Sequence, residues 1–142
     1  MRGHLFLAFF TFLFYIFLVR VFKNTWFSRF ARKESIVDRE LLDIVNNLEE
    51  GQSDADLGGD VFKVRLARSG KGKSSGYRVI VFFKSGERTF FVHGYAKSET
   101  ANISQKERTK LKKQAKTLFS MTVEQIESAL KEGVFLEIME ET

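Results

Sequence analysis

The residues of this chain that could do chemistry are basic, and they are densest between Val61 and Lys97. This segment holds nine lysines and arginines and one acidic residue, Glu87, although the whole 142-residue chain has a formal net charge of only +5. The nine basic residues are Lys63, Arg65, Arg68, Lys71, Lys73, Arg78, Lys84, Arg88 and Lys97. Such a density of positive charge is typical of a surface that binds the phosphates of a nucleic acid.

A basic surface can also cleave RNA without a metal. Attack by the RNA's own 2′-hydroxyl needs a base for that hydroxyl, an acid for the leaving oxygen and positive charge on the phosphorane. The chain has no cysteine and only two histidines, which excludes disulfides and thiolate catalysis and leaves His4, His93 and carboxylates as zinc ligands. Lysine and arginine would therefore carry the charge, and a lysine crowded by other cations loses its proton more readily. We expect neither a metal nor a cofactor.

Three predicted strands position these basic residues. Residues 61–67 alternate apolar and basic side chains, which predicts a half-buried strand with Lys63 and Arg65 on the same face. Further strands are predicted at residues 77–83 and 89–95. Because the connections between the three strands are short, we expect them to pair antiparallel.

The same alternation predicts where individual side chains of these strands point. Arg78 is the one charged residue in its strand, and we expect it at the surface of the sheet. Phe91, His93 and Tyr95 recur at every second position, which predicts that they share one face.

Helical spacing of apolar residues predicts four helices around this sheet. They cover residues 25–33, a stretch that begins near Asp38 and stops before Gly51, a stretch that begins at Asn102 or Ser104 and runs to about Phe119, and residues 122–131. Residues 53–60 are predicted to be a loop, residues 20–23 a short strand, and residues 134–139 a final strand or an ordered tail. The expected fold class is α+β, a small antiparallel sheet packed by N-terminal and C-terminal helices in one domain at residues 20–142.

Residues 1–19 form a separate hydrophobic segment. Its apolar run begins at Leu5, ends at Val19 and is interrupted only by Thr11. As a helix the run would span about 22 Å, which is shorter than a hydrocarbon core of roughly 30 Å. One interpretation is a membrane anchor whose flanking basic residues keep the domain in the cytoplasm. The other is that translation begins at Val19, so that the run is never made and the protein is simply cytoplasmic.

Four motifs, in a fixed order along the chain, give it a family resemblance. They are Trp26-Phe27-Ser28-Arg29-Phe30-Ala31-Arg32-Lys33-Glu34, then Asp54-Ala55-Asp56-Leu57-Gly58-Gly59, then the basic run from Lys63 to Arg78 with Gly70-Lys71-Gly72-Lys73 in its loop, and finally Gly94-Tyr95-Ala96-Lys97 with Glu99, Asn102 and Ile103. With these motifs residues 20–119 resemble the RelE/HigB-like toxins of type II toxin–antitoxin modules. The hydrophobic N-terminus departs from that pattern, because such toxins usually begin near the equivalent of Val19.

The resemblance implies a RelE-like fold and a ribosome-dependent endoribonuclease that cuts messenger RNA in the decoding site. Its partners would be messenger RNA, the ribosome and a cognate antitoxin, expected here to be a helix-turn-helix protein. Lys63, Arg65, Arg78 and Lys97 match the positions at which these toxins place catalytic basic residues. Of these, Arg78 and Lys97 are expected to stabilise the transition-state charge, and Lys63 is the candidate base.

Five other residues are assigned to RNA binding. Arg68, Lys71 and Lys73 in the hairpin loop are expected to bind the phosphate backbone of ribosomal or messenger RNA. Tyr95 could stack on a base, and His93 could donate a proton. Each of these residues also has a simpler interpretation. Basic residues on a strand often only face solvent. A histidine in a strand more often has a structural role, and a tyrosine there can pack in the core.

Two functions of other classes also fit the sequence. One is a nucleic-acid-binding module without catalysis that uses the same basic sheet for backbone contacts. The other is a membrane-anchored regulatory protein on the same fold, in which the run from Leu5 to Val19 contacts the membrane. Trp26, Phe27 and Phe30 are expected to pack in the core or to form a hydrophobic surface for the antitoxin, and not a cofactor site.

Overall fold

The computed structural model describes residues 19–68, 72–97 and 103–139, with backbone alone at Arg68 and at residues 72–75. The elements in chain order are β1 (Val21–Asn24), α1 (Thr25–Lys33), α2 (Asp38–Glu49), β2 (Ala55–Gly58), β3 (Val61–Arg68), β4 (Gly72–Phe82), β5 (Thr89–Ala96), α3 (Gln105–Phe119), α4 (Val123–Lys131) and β6 (Phe135–Ile138). The four predicted helices are present. The predicted hydrophobic run, apart from Val19, lies outside the described residues, and within those residues no helix is long and apolar enough to cross a membrane.

The six strands form one mixed sheet in the order β2-β3-β4-β5-β1-β6. Strands β3, β4 and β5 pair antiparallel as predicted, whereas β1 pairs parallel with β5. A parallel pairing is open to β1 because two helices and three strands separate it from β5, so no tight turn dictates its direction. The predicted α+β fold is therefore confirmed, and its sheet contains one parallel pair. The loop predicted at residues 53–60 was wrong in part, since it contains β2.

Helices cover both faces of the sheet. On one side, called here the front face, Ile80 lies in a buried cluster with Ala115 of α3 and with residues of α4. On the opposite, back face, Val79 lies in a second cluster with Phe27 of α1 and with residues of α2. Alternate residues of β4 thus serve two cores, as expected for an inner strand.

Side-chain caps fix where α1 and α3 begin. The Asn24 side chain accepts a hydrogen bond from the backbone N–H of Phe27 and donates one to the carbonyl of Val92, at 2.7 and 3.1 Å, which ties the start of α1 to β5. The Ser104 hydroxyl accepts from the backbone N–H of Glu107 at 3.1 Å. Caps of this kind satisfy amide groups that the helix itself leaves unpaired.

A bulge in β5 changes the faces predicted for its side chains. His93 lies opposite Ile80 and Phe91 lies opposite Val81, so Val92 is an extra residue in the ladder. An extra residue shifts the alternation by one position. The prediction that Phe91 shares a face with His93 was therefore wrong, because Phe91 belongs to the back-face core.

Candidate active site on the front face

Two cross-strand rows bring the basic residues together. Arg65 on β3 lies opposite Arg78 on β4, which in turn lies opposite Tyr95 on β5. The adjacent row contains Lys63 on β3 and His93 on β5. Residues that lie opposite one another in a ladder point to the same face, so all five side chains belong to the front face.

Lys63, Arg65 and Arg78 converge on one carboxylate, that of Asp54, and these four residues are called here the cation cluster. Asp54 Oδ1 lies 2.8 Å from Arg65 Nε, while Asp54 Oδ2 lies 3.5 Å from Arg78 Nε and 3.9 Å from Lys63 Nζ. Asp54 precedes β2, and its backbone N–H donates to the carbonyl of Lys63 at 3.0 Å. The cluster therefore combines three positive charges with one negative charge at its centre.

Asp54 was not predicted as a site residue. Lys63 was predicted as a base because of the cations near it, and the structure adds a counter-ion among them. The available signal was the motif that Asp54 opens, which lies directly before a strand and close in sequence to the basic strand β3.

The three cations of the cluster differ widely in exposure to solvent. The side chain of Arg65 is 58% exposed, that of Lys63 19% and that of Arg78 only 7%. The prediction that Arg78 lies at the surface of the sheet was wrong, because β4 is an inner strand between β3 and β5 and Arg78 is buried there. Arg78 Nη1 also donates to the carbonyl of Tyr77 at 3.3 Å. Arg65 is therefore the guanidinium of the cluster most accessible to a ligand.

The other predicted basic residues are described only in part. Lys97 follows β5 directly, is exposed, and donates its backbone N–H to the carbonyl of Gly76 at 3.1 Å. None of the ion pairs among the described residues joins Lys97 to Asp54. The backbones of Arg68 and Lys73 lie near the tip of the β3–β4 hairpin, while Lys71 and the side chains of the other two lie outside the described residues.

A groove of about 890 Å³ opens between α3 and the front face of the sheet. His93 and Tyr95 line it together with apolar side chains such as Leu111, and Glu107 and Lys110 of α3 add charge. None of the four residues of the cation cluster lines the groove, but Tyr95, which does, lies directly opposite Arg78 in the sheet. An apolar groove next to a cationic site is suited to a ligand with a flat apolar part and an anionic part.

The two titratable ring side chains of β5, His93 and Tyr95, are shifted toward their neutral forms. Burial raises the pKa of the Tyr95 phenol, and the nearby charge of Arg78 opposes that rise. Burial lowers the pKa of His93, against the opposing charge of Glu107. The His93 ring packs on Trp26, with 4.3 Å between ring centroids. At pH 7 both rings are therefore predominantly uncharged.

In a comparison with known families, the chain matches a family model described as the RelE toxin of the RelE / RelB toxin–antitoxin system. The match covers residues 19–138. The matched span contains the whole cation cluster and every residue that lines the groove. A comparison with curated proteins found no match.

Proposed function

The chain belongs to the RelE toxin family, and from this premise we propose that it is an endoribonuclease that cuts messenger RNA on the ribosome. The observation that carries the proposal is the cation cluster, in which Lys63, Arg65 and Arg78 converge beside the groove. The proposed reaction is attack by the RNA's own 2′-hydroxyl on the adjacent phosphate. This reaction depends on concentrated positive charge, which the cluster supplies.

The different exposures of Arg65 and Arg78 support different proposed roles for these two arginines. Arg65 contacts the scissile phosphate directly, because its guanidinium reaches solvent. Arg78 is buried and acts as a fixed positive charge in a water-poor environment. There a charge stabilises the transition state more strongly than it would in water. Lys63 is the proposed base for the 2′-hydroxyl, and Lys97 at the end of β5 adds charge to the phosphorane.

The groove is proposed to hold the base next to the cut. Tyr95 and His93 line it as uncharged rings, which suits stacking on a nucleobase. A predominantly neutral His93 favours this stacking role at pH 7 over proton donation. Arg68, Lys71 and Lys73 are proposed to bind the RNA backbone.

Membership of the family implies a cognate antitoxin. We propose that this antitoxin is a helix-turn-helix protein. Cleavage of messenger RNA on ribosomes would also place the protein in the cytoplasm. A contact of the run from Leu5 to Val19 with a membrane stays a prediction.

The burial of Arg78 favours one second candidate, nucleic-acid binding without catalysis. Only Arg65 among the three cations is well exposed, and a single accessible arginine is enough to hold a phosphate without accelerating its reaction. The two candidates differ in their products, because only the first yields shortened RNA.

The proposed reaction makes a specific prediction about the nucleotide at the cut. Ribosomes programmed with a short synthetic message should release a cleaved message when the full-length protein is added. A second message that carries a 2′-deoxy nucleotide at that position should stay intact, because the attacking hydroxyl is missing. Equal cleavage of both messages would exclude the 2′-hydroxyl mechanism, and binding without cleavage of either would support the second candidate.

A further inference from the structure

We propose that Asp54 is a positioning residue whose carboxylate holds Arg65 and Arg78 in the orientation in which they act on the RNA phosphate. This proposal rests on the function proposed above, and it concerns the same site. Asp54 itself is assigned no contact with the RNA.

The atoms that Asp54 engages leave the outer edge of Arg65 available. Asp54 Oδ1 lies 2.8 Å from Arg65 Nε, and Asp54 Oδ2 lies 3.5 Å from Arg78 Nε. A guanidinium carries five N–H donors in a rigid planar fork, so binding at Nε fixes the direction of the two Nη groups. The shortest contact of the Arg65–Asp54 ion pair is made by Nε, and none of the side-chain hydrogen bonds among the described residues is donated by the Nη atoms of Arg65. These atoms can therefore bind two oxygens of a phosphate.

The position of Asp54 is itself fixed by its surroundings. Its backbone N–H donates to the carbonyl of Lys63 on β3, and its side chain is only 17% exposed. A carboxylate that is already in place needs no reorganisation when the substrate binds. The arginines are thus oriented before the RNA arrives.

The negative charge of Asp54 also offsets the mutual repulsion of the three cations in the cluster. Without it, Lys63, Arg65 and Arg78 would converge with no negative charge within ion-pair distance among the described residues. A buried ionic group that loses its only charged partner is strongly destabilised. Arg78, with 7% of its side chain exposed, would then be driven out of its present position.

Positioning and simple charge balance make different predictions for Asp54→Glu. The glutamate keeps the negative charge but moves the carboxylate by about one C–C bond, roughly 1.5 Å. A displacement of about 1 Å near a reacting group can reduce a rate by up to about 100-fold. If Asp54 only balances charge, Asp54→Glu should behave as the wild type.

The test uses the full-length chain with Asp54→Glu, Asp54→Asn and the matched control Asp56→Asn. Asp56 is exposed, and its Oδ1 accepts from the backbone N–H of Gly58, a bond that asparagine can preserve. In single-turnover cleavage of a ribosome-bound message we expect Asp54→Glu to be about 30-fold slower and Asp54→Asn at least about 100-fold slower, with the control within about twofold. Asp54→Glu decides the question if Asp54→Asn does not fold. A folded Asp54→Glu that cleaves within twofold of the wild-type rate would overturn the proposal.

A second readout separates this proposal from the proposed function. The Arg65 Nε–H signal in a nitrogen-15 NMR spectrum, assigned with Arg65→Lys, is followed while inorganic phosphate is added. We expect the wild type to bind phosphate at least tenfold more tightly than Asp54→Glu. If the wild type cuts no message but shows this difference, the function proposed above fails and the role of Asp54 stands. If both proteins bind phosphate equally, the role of Asp54 fails whatever the cleavage result.

Discussion

Replacing Arg78 by alanine is expected to abolish cleavage and to lower the free energy of unfolding by about 3 kcal/mol, because a large buried side chain is removed. Arg78 is buried on an inner strand, and its Nε lies 3.5 Å from the carboxylate of Asp54. The substitution removes a buried charge and leaves Asp54 facing two cations instead of three. It also opens a cavity under Tyr95, which lies directly opposite Arg78. Loss of function and loss of stability should therefore occur together.

Urea denaturation measures this loss of stability. The matched control is Arg39→Ala, because the side chain of Arg39 is 85% exposed and its ion pair with Asp43 is 3.9 Å long. We expect the control to change the free energy of unfolding by less than about 0.5 kcal/mol. An Arg78→Ala protein that unfolds at the same urea concentration as the wild type would show that the buried pair contributes nothing to stability.

Gly94→Ala is the second substitution with a large expected effect, a destabilisation of about 3 kcal/mol. A Cβ atom built on Gly94 would overlap the Phe30 ring, lying 2.9 Å from Cδ1 and closer still to Cε1. The ring cannot retreat easily, because it stacks on Trp26 and meets Tyr77 edge-on at centroid distances of 5.4 and 5.6 Å. The clash should therefore displace α1 from β5.

A double variant checks the cause of this effect. Phe30→Leu shortens the side chain that blocks the new methyl group, so Gly94→Ala should cost much less in that background than in the wild type. Gly86→Ala is the control, since its Cβ would have no atom within 4 Å, and its φ of +77° predicts only about 1 kcal/mol of strain. If the losses from Gly94→Ala and Phe30→Leu simply add in the double variant, the steric explanation is ruled out.

Much of this fold could be predicted because its signals are local. The helix at residues 25–33 was predicted with the bounds that α1 has in the structure, and the hairpins follow from alternating strands joined by short connections. Strand β2 was not predicted, although it is joined to β3 by a tight turn, because only two of its four residues, Ala55 and Leu57, are apolar. The parallel pairing of β1 with β5, in contrast, joins segments that lie far apart in the sequence.

The candidate site also has features that could be predicted from the sequence and features that could not. Alternation placed Lys63 and Arg65 on one face, and the structure confirms that both reach the front face. The burial of Arg78 could not be predicted, because it depends on which strands flank β4. The three cations meet at Asp54 because β2, the strand that follows Asp54, pairs with β3. Phe91 lies on the back face because β5 contains one extra residue.

Arg65 offers the most direct test of whether the cation cluster cleaves RNA, because its exposed guanidinium can be altered with little effect on the fold. The measurement is primer extension on a message in a translating ribosome reaction with the full-length wild type, Arg65→Gln and the control Arg39→Gln. We expect codon-positioned cuts from the wild type and from Arg39→Gln, and cleavage at least about 100-fold slower from Arg65→Gln. Cuts of equal intensity from Arg65→Gln, or no cuts from the folded wild type, would contradict the assignment of this cluster as a ribonuclease site.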